Sequence, residues 1–188
     1  QIIVLDFLRE GRPARLLMQD YAHSGGMYLH DEDMLLPYTS SYALHRLVPH
    51  DILRTLTIGA GAYTIPMALL RDLPNAQVDV VDIEPILPEI GRRYFSVPAD
   101  PRLRTTIEDG RRFLARTQQP YDFIFSDVYA SLVIPMQFAT KEFFTLAREQ
   151  LTPGGIFIAN IIGSLAQDSP SLLLSEMRTF LSVFPQGA

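Results

Sequence analysis

The sequence contains no cysteine, and this absence excludes disulfides, thiolate nucleophiles and thiolate metal sites. It also favours a reducing compartment, so we expect a cytoplasmic location. No apolar run approaches the ~18 residues that a membrane-spanning helix needs, and the first residues lack the basic-then-apolar pattern of a signal peptide. We therefore expect no membrane partner for this chain.

Positive charge is also scarce, because 16 basic side chains face 21 acidic ones and leave a formal net charge of -5. No block of basic residues is present, so nucleic acid is not the expected partner. A small or cationic substrate fits this balance better. Neither His45 nor His50 has a spacing that suggests metal ligation, and we expect no metal.

The 188-residue chain does contain a regular alternation of strand and helix patterns from Leu53 onward. Apolar strand patterns at 55–58, 78–82, 103–107, 121–126 and 156–161 are separated by helical ones. Such alternation predicts right-handed βαβ units and a parallel sheet that is covered on both faces. The predicted fold class is α/β, with a Rossmann-like, doubly wound and mostly parallel sheet.

The first 50 residues follow a different pattern. Strand-like runs at 2–5 and 14–18 flank a turn-forming segment and predict a β-hairpin. A second turn is predicted at 23–26, and a capped helix from Tyr38 to Leu47. We therefore divide the chain into an N-terminal β-hairpin lobe with a linking helix (1–50) and a Rossmann-like nucleotide-binding and catalytic domain (51–188).

Ligands of doubly wound sheets bind beyond the carboxyl ends of the strands. Gly59, Ala60 and Gly61 follow the first strand of the main domain, as in a cofactor loop. Many strand-to-helix turns use glycine only for its positive φ, so a purely structural turn is the alternative. Asp82 ends the second strand roughly 20 residues later, where a carboxylate can accept hydrogen bonds from ribose hydroxyls. Capping of the following helix is the alternative role for Asp82.

The third and fourth strand ends carry two further carboxylates. Asp109 either caps the next helix or, with a neighbouring amide, contacts an adenine. Asp127 ends an apolar strand, where partial desolvation can raise a carboxyl pKa towards general-base use; a structural carboxylate is the alternative. Tyr129 follows at the same end. His23, in the N-terminal lobe, could face the site, although a surface histidine is the simpler interpretation.

Together these residues resemble the spermidine synthase (polyamine aminopropyltransferase) family, within the class I S-adenosylmethionine-dependent transferase fold. The resemblance covers nearly the whole chain, and its spacing is far more specific than two glycines. Its main segments are LTIGAG at 56–61, VVDIEP at 80–85, EDGRRFL at 108–114, YDFIFSD at 121–127 and LTPGG at 151–155, with DYAHS at 20–24 and PYT at 37–39 in the N-terminal lobe.

The resemblance implies decarboxylated S-adenosylmethionine as aminopropyl donor, a diamine such as putrescine as acceptor, and release of methylthioadenosine. A homodimer is implied by the same analogy. Asp127 matches the family's base and cation anchor. Matches to the nucleotide site are Gly59, Ala60, Gly61, Asp82, Ile83, Asp109 and Gly110, and the substrate side is matched by Tyr38, His23 and Tyr129.

The sequence departs from the family pattern at several points. Ala130 stands where a second aspartate helps to hold the diamine, His23 replaces an expected glutamine, and the glycine loop lacks its usual acidic residue. The terminal antiparallel hairpin of such domains, formed by their sixth and seventh strands, is also missing from this sequence. Two alternatives therefore stay open: methyl transfer from S-adenosylmethionine, suggested by Ala130, and a non-catalytic nucleotide-binding or assembly module, suggested by an exposed fifth strand.

Overall fold

The computed structural model describes residues 1–20, 22–31, 33–129, 134–163 and 172–186. The N-terminal part is a three-stranded antiparallel sheet of β1 (Ile2–Arg9), β2 (Arg12–Gln19) and β3 (Ala22–Tyr28), in that spatial order. β1 and β2 pair along their whole length around a two-residue turn. The predicted hairpin is therefore confirmed, with longer strands than the apolar runs alone indicate.

The predicted turn at 23–26 is wrong, because these residues belong to β3. Gly25 and Gly26 pair with Leu17 and Leu16 of β2, beside a bulge at Leu17 and Met18. Consecutive glycines are typical of turns, but here pairing with β2 supplies the hydrogen bonds that keep the backbone extended. The lobe is thus a sheet of three strands, and its third strand faces the main domain.

The predicted helix from Tyr38 is present as a 3-10 helix, Pro37–Leu47, but its predicted side-chain cap is not. Leu36 occupies the N-cap position without a side-chain hydrogen bond. The Thr39 hydroxyl donates to the Leu36 carbonyl at 2.6 Å, and the Ser41 hydroxyl donates to the Tyr38 carbonyl at 2.6 Å. These hydroxyls satisfy carbonyl oxygens of the tight turns instead of accepting from free N–H groups.

The main sheet has five parallel strands, as predicted. They are β4 (Arg54–Ile58), β5 (Gln77–Asp82), β6 (Leu103–Ile107), β7 (Tyr121–Ser126) and β8 (Leu151–Ala159), in the spatial order β6-β5-β4-β7-β8. The chain moves outward from β4 to β6 and then crosses to β7, so the strand order reverses between β4 and β7. Ligands of doubly wound folds bind at this point.

Helices cover both faces of this sheet. They are α1 (Thr64–Asp72), α2 (Leu87–Tyr94), α3 (Gly110–Arg116), α4 (Lys141–Glu149) and α5 (Leu172–Val183), with a short 3-10 helix at Met136–Phe138. Phe143, Phe144 and Phe157 are buried in the core cluster that α4 and α5 close, where Phe180 packs edge-on against Phe144 with 5.4 Å between ring centroids. These four aromatics are core residues, as predicted. None of the described helices is long and apolar enough to cross a membrane.

The start of β8 differs from the prediction, which placed a turn at 152–155. Tyr121 pairs with Leu151 and Phe123 pairs with Ile156, so the intervening residues of β8 form an irregularity within the strand. The regular ladder begins at Ile156, where the sequence pattern predicted it. The Thr-Pro-Gly-Gly segment is therefore a bulge between two paired parts of one strand, because both its ends stay registered on β7.

Candidate active site

A cavity of about 820 Å³ lies at the carboxyl ends of the parallel strands and reaches the residues before and within β3. It gathers residues from Gln19 to Ile162, because parallel strands present all their carboxyl ends at one edge and the N-terminal sheet packs beside that edge. Ala60 is the one predicted site residue that does not line it. The predicted residues that do line it are His23, Tyr38, Gly59, Gly61, Asp82, Ile83, Asp109, Gly110, Asp127 and Tyr129.

The glycine turn passes close to two other backbone segments. Gly59 has φ +95°, and a Cβ atom there would collide with the carbonyl oxygen of Asp127. Gly61 has φ +46°, and a Cβ atom there would collide with the carbonyl oxygen of Ser24 in β3. Both glycines are therefore required by positive φ and by close approach. This packing places the turn directly between the end of β7 and the N-terminal sheet.

Asp82 ties the end of β5 to this glycine turn. One carboxylate oxygen, Oδ2, accepts the Ala60 N–H at 2.6 Å, and Oδ1 accepts the Glu84 N–H at 2.8 Å. α2 begins only at Leu87, after an N-cap residue without a side-chain bond, so Asp82 does not cap that helix. Burial raises the pKa of Asp82, opposed by backbone N–H donors. Each oxygen can accept a further hydrogen bond from the cavity side.

Asp109 and Gly110 form the next part of the wall. Oδ1 of Asp109 accepts the Arg112 N–H at 2.9 Å, so Asp109 is the N-cap of α3. The capping role is therefore present, and the residue also lines the cavity. Gly110 is buried, and a Cβ atom there would collide with the Ile58 side chain. Ile83, beside Asp82, is 72% exposed although it is apolar.

Asp127 lies at the point where the strand order reverses, directly after β7. Its Oδ2 accepts the Tyr38 hydroxyl at 2.9 Å, and its Oδ1 accepts the Asn160 side-chain amide at 2.9 Å. Burial raises the pKa of Asp127 above its usual range, while these two hydrogen bonds act in the opposite direction. Both donors are neutral, so among the described residues the negative charge of the ionised carboxylate has no paired cation.

Tyr38, which was predicted on the substrate side, donates the hydroxyl hydrogen bond to Asp127. Burial, and then the charge of Asp127, raises the pKa of this phenol, so it stays a donor at neutral pH. His23 belongs to β3, opposite Met18, and its side chain is exposed at the cavity. The cavity therefore receives a side chain from the N-terminal sheet as well as from the main sheet.

Asn160, which sequence reasoning missed, completes the support of Asp127 from the end of β8. The Tyr129 hydroxyl donates to the Asn160 carbonyl at 2.9 Å and accepts the Ile162 N–H at 2.6 Å. This bridge fixes the backbone that follows the Asn160 Cα atom, while the side-chain amide of Asn160 holds Asp127. A signal was present, because Asn160 is a polar residue near the carboxyl end of the strand predicted at 156–161, which in the structure ends one position earlier, at Ala159. The criterion that selected residues at the carboxyl ends of the other four strands applies equally to Asn160.

The charge of the cavity is strongly one-sided. None of the described residues that line it is lysine or arginine. Ionised carboxylates in a partly desolvated cleft attract cations and repel anions. No group of three or more histidine, aspartate or glutamate residues with metal-site geometry occurs in the described ranges. The carboxyl-bearing residues of the lining are Asp20, Asp82, Glu84, Asp109 and Asp127.

A parallel five-stranded sheet with this order, a glycine turn at the reversal point and acidic residues at the strand ends define a class I methyltransferase-like fold. Comparison with known proteins identifies the family. The profile described as "Spermine/spermidine synthase domain" matches residues 41–173. The chain belongs to the spermine/spermidine synthase domain family.

Two bacterial relatives carry names of the same kind. A "Probable polyamine aminopropyl transferase" of Bifidobacterium longum is 36% identical over 133 residues, which cover 70% of this chain and 29% of that protein. A "Polyamine aminopropyltransferase" of Vibrio vulnificus is 31% identical over 134 residues, covering 70% of this chain and 43% of that protein. The chain thus spans less than half the length of either relative. Both names describe enzymes of the aminopropyltransferase family.

Two more distant similarities extend the comparison. A probable spermidine synthase from Corynebacterium glutamicum superposes with a TM-score of 0.77 over 96% of this chain and 71% of that one, at 23% sequence identity. At this identity the likeness shows the fold alone. An "eEF1A lysine and N-terminal methyltransferase homolog" of Drosophila melanogaster is 28% identical over 139 residues, covering 69% of this chain and 20% of that protein. The family's neighbours therefore include methyltransferases.

Proposed function

We propose that this chain transfers an aminopropyl group from decarboxylated S-adenosylmethionine to a diamine such as putrescine and releases methylthioadenosine. The observation that carries the proposal is Asp127, a carboxylate with only neutral hydrogen-bond donors among the described residues, in an acidic cavity of a chain that belongs to the synthase family. The acceptor is a cation at neutral pH and the donor carries a sulfonium, so both match the sign of this cavity.

In the proposed reaction, the Asp127 carboxylate first binds the protonated amine and takes one proton from it. The freed nitrogen lone pair attacks the aminopropyl carbon next to the sulfonium. A C–N bond forms as the C–S bond breaks, and the electron pair returns to sulfur, which leaves as a neutral thioether. A carboxyl whose pKa is raised by burial is better matched to this proton transfer than an exposed one.

The nucleotide side of the cavity supports the same proposal. Each carboxylate oxygen of Asp82 can accept one more hydrogen bond, so the pair of oxygens suits the two ribose hydroxyls. Asp109 and the Gly110 backbone, at the start of α3, suit the adenine edge, and exposed Ile83 offers an apolar surface to its ring. The turn of Gly59, Ala60 and Gly61, packed against Asp127, then lies closest to the sulfonium.

The proposal is tested by measuring methylthioadenosine release with Asp127→Asn. Loss of a general base typically lowers the rate by about 10²–10⁴-fold. Asp51→Asn is the matched control, because Asp51 is exposed and does not line the cavity, and it should retain the wild-type rate. Turnover by Asp127→Asn at the wild-type rate would remove Asp127 from the mechanism.

Methyl transfer from S-adenosylmethionine is the second candidate. It is favoured by the methyltransferase relative and by Ala130 in place of a second diamine-binding aspartate; Ala130 lies outside the described residues. Calorimetry with the two nucleotides separates the candidates. Preference for the decarboxylated form supports aminopropyl transfer, since an acidic cavity without lysine or arginine in its described lining repels a carboxylate. Preference for the carboxylated form supports methyl transfer.

A non-catalytic nucleotide-binding or assembly module is the third candidate, and it predicts that neither nucleotide raises the melting temperature.

The division at residue 50, the homodimer and the cytoplasmic location stay predictions. Sedimentation of the purified full-length protein tests the dimer directly.

A further inference from the structure

A second and much smaller cavity lies beside Asp127. Its volume is about 10 Å³, which is close to the least space that holds one water molecule, about 10–15 Å³. Asp127 and Tyr38 are among the residues that line both this cavity and the active-site cavity, so the two cavities meet at these residues. The rest of the lining comes from β3, the 3-10 helix at 37–47, β4, the glycine turn and the first turn of α1. All of these residues are described by the structure.

Thr57, in β4, contributes a buried hydroxyl to this cavity. Thr57 is only 1% exposed, and its Oγ1 atom has no hydrogen-bond partner among the described residues. Two other threonines line the cavity, but their hydroxyls donate elsewhere: Thr39 to the Leu36 carbonyl at 2.6 Å and Thr64 to the Gly26 carbonyl at 2.9 Å. A buried hydroxyl without a partner is costly for folding. A group in the cavity that accepts from Thr57 would offset this cost.

Strand pairing holds Thr57 and Asp127 on neighbouring strands of the sheet. β4 and β7 are parallel, with Thr57 opposite Phe125 and Ile58 opposite Ser126. The Asp127 N–H donates to the Ile58 carbonyl at 2.8 Å, so the backbone of Asp127 is fixed beside the end of β4. The backbone of β4 pairs with β5 on one side and β7 on the other. Since the cavity lies between the sheet and α1, Thr57 reaches it from the sheet face with its side chain.

We propose that this cavity binds one water molecule, which accepts from the Thr57 hydroxyl and donates to the Asp127 carboxylate. The proposal rests on the proposed aminopropyl transfer, and it makes Thr57 a positioning residue that acts on the base through the water. Each oxygen of Asp127 accepts one bond, from Tyr38 or from Asn160, and can accept another. The Tyr38 hydroxyl oxygen can accept the second hydrogen of the water. The water then makes three hydrogen bonds, the usual number for a buried water.

The test replaces Thr57 by valine, which keeps the shape of the side chain and removes its hydroxyl. Methylthioadenosine release by the full-length protein is measured against pH, with donor and acceptor concentrations well below their KM values. The ionised form of Asp127 loses a hydrogen bond in Thr57→Val, so the acid limb of kcat/KM should move upward by about one pH unit. Thr57→Ser keeps the hydroxyl and should retain the wild-type acid limb.

Thr55→Val is the matched control. Thr55 lies two residues earlier on the same face of β4, is 0% exposed and also has a hydroxyl without a partner among the described residues, but it lines neither cavity. Its acid limb should overlay that of the wild type. Urea unfolding gives a second measurement that does not depend on activity. Thr55→Val removes only an unpartnered hydroxyl and should be neutral or stabilising, whereas Thr57→Val also loses the bound water and should unfold at a lower urea concentration than Thr55→Val.

The other titratable groups around Asp127 do not account for such a shift. Asp127 is the only charged residue among the described residues that line the small cavity. The phenols of Tyr38 and Tyr129 lie near Asp127, and burial raises the pKa of both, so they stay neutral along the acid limb. The remaining titratable groups of the active-site cavity are unchanged in both threonine variants, and they are Asp20, His23, Asp82, Glu84 and Asp109.

The outcomes are separable. If the wild type transfers the aminopropyl group but the acid limb of Thr57→Val stays in place, or moves no further than that of Thr55→Val, the inference is overturned and the proposed function stands. If the wild type releases no methylthioadenosine, the proposed function is refuted, and urea unfolding decides the water site: equal stability of the two valine variants overturns it. Should Thr57→Val fail to fold, Thr57→Ala replaces it, because alanine also lacks the hydroxyl. An unchanged acid limb in that variant overturns the inference equally.

Discussion

Substitution of Asn160 by alanine tests whether neutral donors keep Asp127 ionised. In the structure two hydrogen bonds, from Asn160 and from Tyr38, oppose the effect of burial on the Asp127 pKa. Removing the amide leaves burial opposed by Tyr38 alone, so the pKa rises further. Because the base must be ionised to accept a proton, activity is lost as the pH falls through this pKa. The acid limb of the pH–rate profile should therefore move to higher pH.

The magnitude follows from the bond that is removed. A hydrogen bond to a charged group contributes about 1.5–3 kcal/mol, and each 1.36 kcal/mol corresponds to one pH unit of titration. The acid limb of kcat/KM should consequently move upward by about one to two pH units. The rate on the high-pH plateau should change less, because Tyr38 still orients the carboxylate.

The assay is methylthioadenosine release as a function of pH, with donor and acceptor concentrations well below their KM values. Asn75→Ala is the matched control, because Asn75 is exposed in the turn before β5, and its profile should overlay that of the wild type. An acid limb of Asn160→Ala that stays in place or moves to lower pH would refute the assignment of Asn160 as the residue that tunes Asp127.

Two further predictions concern stability. Gly59→Ala should destabilise the fold more than Gly11→Ala, as measured by urea unfolding. Both residues have positive φ, which costs about 1–3 kcal/mol for a non-glycine residue. Of the two, only Gly59 has a backbone carbonyl oxygen at the place of a Cβ atom. Equal losses would contradict the close approach to Asp127. His50 has both ring nitrogens beside carbonyl oxygens, at 3.1 Å each, and its pKa is raised chiefly by the first of these contacts. The stabilising effect of protonated His50 should be present at pH values below its unfolded pKa and lost as the pH rises through its folded pKa. His50→Ala should therefore lower the melting temperature at pH 5 and have little effect at pH 9. His30→Ala, at an exposed position, is the control.

The main sheet could be predicted from the sequence because its central strands β4, β5 and β7 are largely buried. Strands that are buried on both faces are nearly continuous apolar runs, and β7 has the bounds that its run indicates. The errors fall where local composition and pairing conflict. Gly25 and Gly26 are in β3 because β2 pairs with them, and 152–155 are in β8 because both ends of that strand are registered on β7. Pairing partners are distant in sequence, so local patterns do not report them.

In the candidate site, too, local sequence patterns reported some features and contacts between distant residues decided the others. The sequence by itself determined where most strands of the main sheet end, because strand ends follow from the βαβ pattern, and Asp82, Asp109 and Asp127 could be selected on that ground. Only the tertiary structure decided what each carboxyl contacts. Asp127 bonds to a tyrosine 89 positions before it and an asparagine 33 positions after it, and hydrogen bonds between such distant residues exist only once the sheet and the lobe have packed together. The chemistry of Asp127 depends on those contacts, since burial and hydrogen bonding, rather than the residue type, set its pKa.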